Sequence, residues 1–186
     1  HDYTPIRDFY GVPRNTHEWP VLALVQGSKN VLIDNIATYD STGDGVVFGS
    51  SGRRTDPQVP FNLNVTLQNS TITRSRRNGI SITDGEDLKV INCDINDTGL
   101  GERGNTIISS AGVAPQFGLD VEPFLGYETD GTPIFFEKVE NVLIEGNRFT
   151  NNAKGSIIDY SGIDVVISKN TSDNVFGIRN ASGTQF

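Results

Sequence analysis

Five short β-branched runs recur along the chain at a nearly fixed step, and this repeat restricts the fold more than any other feature. They read NVLIDN (30–35), NVTLQN (64–69), DLKVIN (87–92), NVLIEG (141–146) and DVVISK (164–169). A second class of run follows each one: GVVFG from Gly45, GISIT from Gly79, GLDVE from Gly118, GSIID from Gly155 and GIRNA from Gly177. An earlier member, PVLALV, starts at Pro20. Twenty-three residues separate Asn69 from Asn92, and Gly146 from Lys169, so the bare coil is 22–23 residues long. Three insertions, at about 50–61, 96–116 and 123–138, lengthen it. A period in this range marks a solenoid, in which each unit buries its apolar face only against its neighbours. Helical periodicity is nearly absent between the runs, so the unit is a coil of two or three strands rather than a strand–helix repeat.

Ser70, Asn147 and Asn170 recur at equivalent turns, as expected for stacked corners. With these features, THEWPVLALVQGSKNVLIDNIATYDSTGDGVVFG, NGISITDGEDLKVINCDINDTG and APQFGLDVEP resemble consecutive stretches of the right-handed parallel β-helix (pectate-lyase-like) family. Within it the chain is most similar to phage tailspike and preneck-appendage proteins and to bacterial β-helix repeat proteins. The fold expected is all-β: one single-stranded right-handed parallel β-helix domain over 1–186, of about five to six coils. The resemblance implies a virion-tail or secreted protein, a homotrimer about the helix axis, and a bacterial surface polysaccharide or teichoic acid as partner. A chain that starts at His1 and contains no Met is expected to be a piece of something longer.

In FGLDVEP (117–123), Leu119 and Val121 alternate with Asp120 and Glu122 before Pro123 ends the strand. Alignment of the second-class runs on their first residues turns Ile80/Ile82 and Leu119/Val121 inward. It turns Ser81/Thr83, Asp120/Glu122 and Ile157/Asp159 outward. Same-face residues on one strand lie ~6.5–7 Å apart, and neighbouring coils ~4.8 Å apart. Asp120, Glu122 and Asp159 are thus expected to cluster on one face. Ser156 interrupts the inward pattern, so a one-residue shift of Asp159 is the alternative. The insertions 96–116 and 123–138 leave from opposite ends of this strand and are expected to wall a groove. Phe124, Tyr127 and Phe135 are candidate sugar-stacking platforms, Arg76 and Arg77 corner contacts, and Asp44 an exposed contact at the far edge. Arg53 and Arg54 come from the insertion 50–61.

Paired carboxylates suit glycoside hydrolysis. One stays protonated and donates to the leaving oxygen, while the other activates water. The same-strand spacing fits inversion through Asp120 as acid and Glu122 as base, or the reverse, with Asp159 tuning them and no cofactor required; a cross-coil pair at ~5 Å would fit retention. The resemblance also implies a rival, a polysaccharide lyase with Ca2+ on Asp120, Glu122 and Asp159 and with Arg76, Arg77 or Lys154 as base. An epimerase of the Tyr/His type is disfavoured, because no His lies in 18–186. The non-enzymatic alternative is a carbohydrate-binding shaft. Outward acids also keep a β-solenoid soluble without any catalytic role.

The remaining features exclude more than they assign. A net charge of −8 argues against general binding to nucleic acid or anionic membranes. No window is apolar enough to span a bilayer. The single Cys93, in VINCDI, reads as a buried small hydrophobe. His17 and Trp19 in HEW read as packing at a solenoid end, and the five Asn-x-Ser/Thr triplets as corner asparagines beside Ser or Thr. Leu22, Leu24, Val47 and Ile157 are candidate interface residues.

Overall fold

The computed structural model describes residues 23–103, 106–108, 114–179 and 181–186, with side chains in 101–113 outside the description. Among the described residues three parallel sheets stack along the coil axis, each taking one strand per coil. The first contains Ala23–Gln26, Val46–Gly49, Ile80–Ile82, Phe117–Val121, Gly155–Tyr160 and Phe176–Arg179, in that order. The second contains Lys29–Asp34, Leu63–Gln68, Gly85–Ile91, Val139–Glu145 and Ile163–Ser168. The third, of shorter strands, contains Ala37–Tyr39, Thr71–Thr73, Asp94–Asn96, Arg148–Thr150 and Thr171–Ser172. This is a parallel β-helix of three strands per coil.

The corners explain the abundance of asparagine. Asn30, Asn64, Asp87, Asn141 and Asp164 open the second-sheet strands with φ between 53° and 57°. Asn35, Asn69, Asn92, Gly146 and Lys169 close them, also at positive φ. Among L-residues, Asn and Asp tolerate this conformation best, because their short polar side chains bond locally. The stacked corners then bond to one another: Asn64 Nδ2 donates to Asn30 Oδ1 at 2.8 Å, and Asn92 Nδ2 to Asn69 Oδ1 at 2.7 Å. Inside the coil a second ladder runs through the anticipated corner. Asn147 Oδ1 accepts from Cys93 N at 2.8 Å, and Asn170 Oδ1 accepts from Asn147 N at 2.8 Å. These bonds satisfy backbone groups that a buried turn would otherwise leave unpaired.

The interior is a stack of aliphatic columns. Val46, Ile80, Leu119 and Ile157 form one, and Phe48, Ile82 and Val121 another, all buried. Glycine lets the coils close at Gly79, where a Cβ would lie 2.5 Å from the Gly118 carbonyl oxygen and 2.6 Å from Ile95 Cγ2. Cys93 is 2 % exposed in this core, and burial pushes its thiol up to about 11, as a small hydrophobe requires.

Two antiparallel hairpins interrupt the coil on either side of Phe117–Val121. Gly101–Arg103 pairs with Thr106–Ile108 before it, and Leu125–Tyr127 with Pro133–Phe135 after it. The insertion 50–61 docks against the second hairpin. Arg54 N donates to Phe136 O at 2.8 Å, while the Arg54 guanidinium donates to Asp84 and Glu86 and lies 3.6 Å over the Phe61 ring. Arg53 lies 4.7 Å from the Phe136 ring. Both arginines are thus occupied in holding loops together rather than aimed at a ligand.

Candidate functional site

The outward face of the first sheet carries a groove of about 680 Å3 between the hairpin 125–135 and the preceding coils. Its floor includes Leu24, Val47, Ser81, Thr83 and Glu122, and its walls Phe124, Tyr127, Glu137 and Tyr160. Leu24 and Val47, expected at a subunit interface, line this groove. Phe124 is 58 % and Tyr127 62 % exposed, so both side chains are open to solvent at the groove. Phe124 is held by stacking on Phe136, with centroids 5.2 Å apart.

One network organises the floor. Arg77, buried at the corner, donates from Nη1 to Asp44 Oδ2 at 2.7 Å and to Ser81 Oγ at 3.2 Å. Its Nη2 donates to Glu122 Oε1 at 2.8 Å. Ser81 Oγ donates to Asp44 Oδ2 at 3.0 Å, and Asn78 N to Asp44 Oδ1 at 2.8 Å. Asn78 Nδ2 reaches Asp120 Oδ2 at 3.2 Å, while Asn78 Oδ1 accepts from Phe117 N. The network therefore spans three successive coils. Burial would lower the Arg77 pKa, but the charges of Asp44 and Glu122 outweigh it and raise it, so the guanidinium stays protonated.

The acids sit in different environments. Asp120 is 3 % exposed; burial foremost, then the negative charge of Glu122, pushes its carboxyl up to about 8 against the pull of Arg77. Asp120 is therefore largely protonated at neutral pH. Glu122 opens onto the groove and is ion-paired with Arg77. Glu137 lines the groove too; its Oε2 accepts from Phe124 N at 2.9 Å and its Oε1 from Thr83 Oγ1 at 3.3 Å. Burial raises its pKa, helped by the charges of Asp84 and Glu122.

Several expectations need correction. Asp159 does not join Asp120 and Glu122, because it pairs with Val121 and so falls in the inward column. It is fully buried, with Oδ1 accepting from Gly162 N and Oδ2 from Thr184 Oγ1. The strand has slipped by one residue: Gly155 pairs with Phe117 rather than Gly118, which puts Ile157 in the core and leaves Ile158 half-buried on the outer face. Tyr160 then lines the groove where Asp159 was expected. Asp44 is not exposed; both its oxygens are consumed in holding Arg77, Ser81 and the Asn78 backbone. Arg76 is half-buried and does not line the groove, and neither does the exposed Lys154. Phe135 is not a groove-lining ring. His17, Trp19 and Leu22 lie outside the described residues. The three-carboxylate set named for Ca2+ is therefore not assembled, and among the described residues no three His, Cys, Asp or Glu side chains converge to hold a metal ion.

Sequence reasoning missed Asn78 and the groove-lining Tyr160, Ser161 and Glu137. Glu137 closes an insertion whose path no repeat predicts. Tyr160 was legible only to a register one residue different.

A family model described as a right handed beta helix region matches residues 21–185. The chain belongs to the right-handed β-helix family. This β-helix is 34 % identical over 172 residues to the uncharacterized protein YclG of Bacillus subtilis (strain 168), which covers 92 % of this chain and 27 % of that protein. It is 33 % identical over 177 residues to the SPbeta prophage-derived uncharacterized protein YorA of the same strain, covering 94 % of this chain and 27 % of the relative. The β-helix thus spans about a quarter of the length of the curated relatives it matches. No solved structure matches it.

Proposed function

We propose that the groove binds a bacterial surface polysaccharide or teichoic acid and cleaves it by glycoside hydrolysis. The observation that carries this reading is a split carboxyl pair on one strand: Asp120 protonated near neutrality, and Glu122 facing the groove beside a fixed arginine. In an inverting step Asp120 gives its proton to the glycosidic oxygen as that bond breaks. Glu122 takes a proton from the water whose oxygen bonds to the anomeric carbon. Phe124, Tyr127 and Tyr160 supply faces for sugar rings, and Arg77 orients Glu122. Hydrolysis is favoured over elimination because Arg77, the basic side chain nearest these acids, is held protonated by two carboxylates and is unsuited to act as base.

A second assignment of the acid rests on access. Glu137 lines the groove, whereas Asp120 does not, and burial raises both. The same proposal places the chain in a phage tail appendage or a secreted protein, as a homotrimer. Its support is the family membership and the prophage origin of one relative.

The test is product mass from a panel of bacterial surface glycans, with wild type, Asp120→Asn, Glu122→Gln and Glu137→Gln, each with and without EDTA. Products heavier by one water, lost by at least ~100-fold in Asp120→Asn and Glu122→Gln, support the pair. Activity that survives Asp120→Asn but not Glu137→Gln moves the acid to Glu137. Products lacking water mean elimination, and glycan binding without products means an adhesive shaft.

A further inference from the structure

We infer that the groove selects polymers of neutral or amino sugars and turns away chains bearing uronate or phosphate. This rests on the reading of the groove as a glycan site and narrows its substrate class, setting aside the phosphate-bearing teichoic acid in favour of the polysaccharide. Two carboxyl side chains open onto the cavity, Glu122 and Glu137, with Asp44 buried beneath them. Among the described lining residues Arg77 is the single cation, and its two terminal nitrogens are committed to Asp44, Ser81 and Glu122.

Recognition of a carboxylate or phosphate needs a guanidinium or ammonium that can reach it. Two of the neighbouring cations are paired with acids. Arg54 is clasped by Asp84 and Glu86, and Lys138 by Glu86 and Glu140. Arg179, one coil beyond, lies over the Tyr160 ring at 5.5 Å, and the exposed Arg53 lies 4.7 Å from the Phe136 ring; neither lines the cavity. An anionic sugar would therefore meet acids of its own sign over a floor whose arginine is already paired. A hydroxyl or an ammonium would instead find acceptors in Glu122 and Glu137, with its pyranose faces against Phe124 and Tyr127. The field is electrostatic and partly open to water, so salt should weaken the discrimination.

The test is binding by affinity electrophoresis and calorimetry, with chito-oligosaccharides and a neutral galactan against polygalacturonate and poly(glycerol phosphate). Each is measured at ~10 mM and ~500 mM salt, where screening lengths differ several-fold. Expected is at least ~10-fold tighter binding of the neutral or amino polymers at low salt, with the gap narrowing at high salt. Glu137→Gln, which keeps an acceptor for Phe124 N, should improve binding of the anionic polymers several-fold. Equal or tighter binding of polygalacturonate or poly(glycerol phosphate) by the wild type overturns the inference and leaves the groove as a glycan site. So does an anionic affinity unmoved by Glu137→Gln. Failure to bind any of the four polymers overturns the selectivity and the glycan-site reading together.

Discussion

Asp120→Asn should make the protein more stable at alkaline pH, and the size of the effect follows from its burial. The carboxyl titrates at 3.8 in an open chain and at about 8 in the fold. The folded state therefore binds more protons between those values, and stability falls as pH rises through that window. A shift of about four units at ~1.4 kcal/mol per unit sets a ceiling of roughly 6 kcal/mol on the cost of ionising Asp120 in place. At pH 4 little of this cost is felt; it grows across the window and is felt in full by pH 9. Asparagine cannot ionise, and its Oδ1 can still accept from Asn78 Nδ2. The other buried acids, Asp84, Glu137 and Asp159, are common to both proteins and cancel in the difference, while the charge of Asp44 already contributes to the Asp120 shift. Urea unfolding from pH 4 to 9 should show Asp120→Asn gaining at least ~2 kcal/mol on the wild type, a midpoint shift of ~1 M at a typical slope for this size. A wild-type-to-mutant difference constant to within ~0.5 kcal/mol over that range would refute the protonated Asp120 and with it the basis for assigning it as the acid.

Asn147→Ala removes bonds to Cys93 N, Val90 O and Asn170 inside the coil. It should cost ~2–3 kcal/mol by leaving a buried amide unpaired, as read from denaturant midpoints. Gly79→Ala drives a methyl against the Gly118 carbonyl and Ile95, and should cost ~1–3 kcal/mol in the same assay. Cys93 should resist a thiol reagent in the native protein and react at once in denaturant, because it is buried with its thiol pushed up to about 11; rapid native labelling would contradict this.

The repeat carried most of the fold. The 22–23-residue coil, the alternating columns and the asparagine corners are local properties of the chain. A turn at positive φ favours Asn wherever it occurs, and a strand buried on one face must alternate. For the same reason Asp120 and Glu122 could be placed on one outer face without a structure, since Leu119 and Val121 fix the inward side.

Tertiary structure decided everything that depends on how one coil sits on the next. A slip of one residue exchanges the two faces of a strand; Ser156 left that slip open in the sequence, and only the pairing of Gly155 with Phe117 decided it. Asp159 thereby went inward and Tyr160 outward. The depth of Asp44 is likewise invisible in GDG, because Asn78 and Arg77, over thirty positions away, come from the neighbouring coil to enclose it. Glu137 reaches the groove only because its insertion folds back as a hairpin on Thr83 and Phe124. A solenoid writes its scaffold in short-range pattern. The charge states and contacts of its groove arise between coils, where residues distant in sequence share one desolvated space.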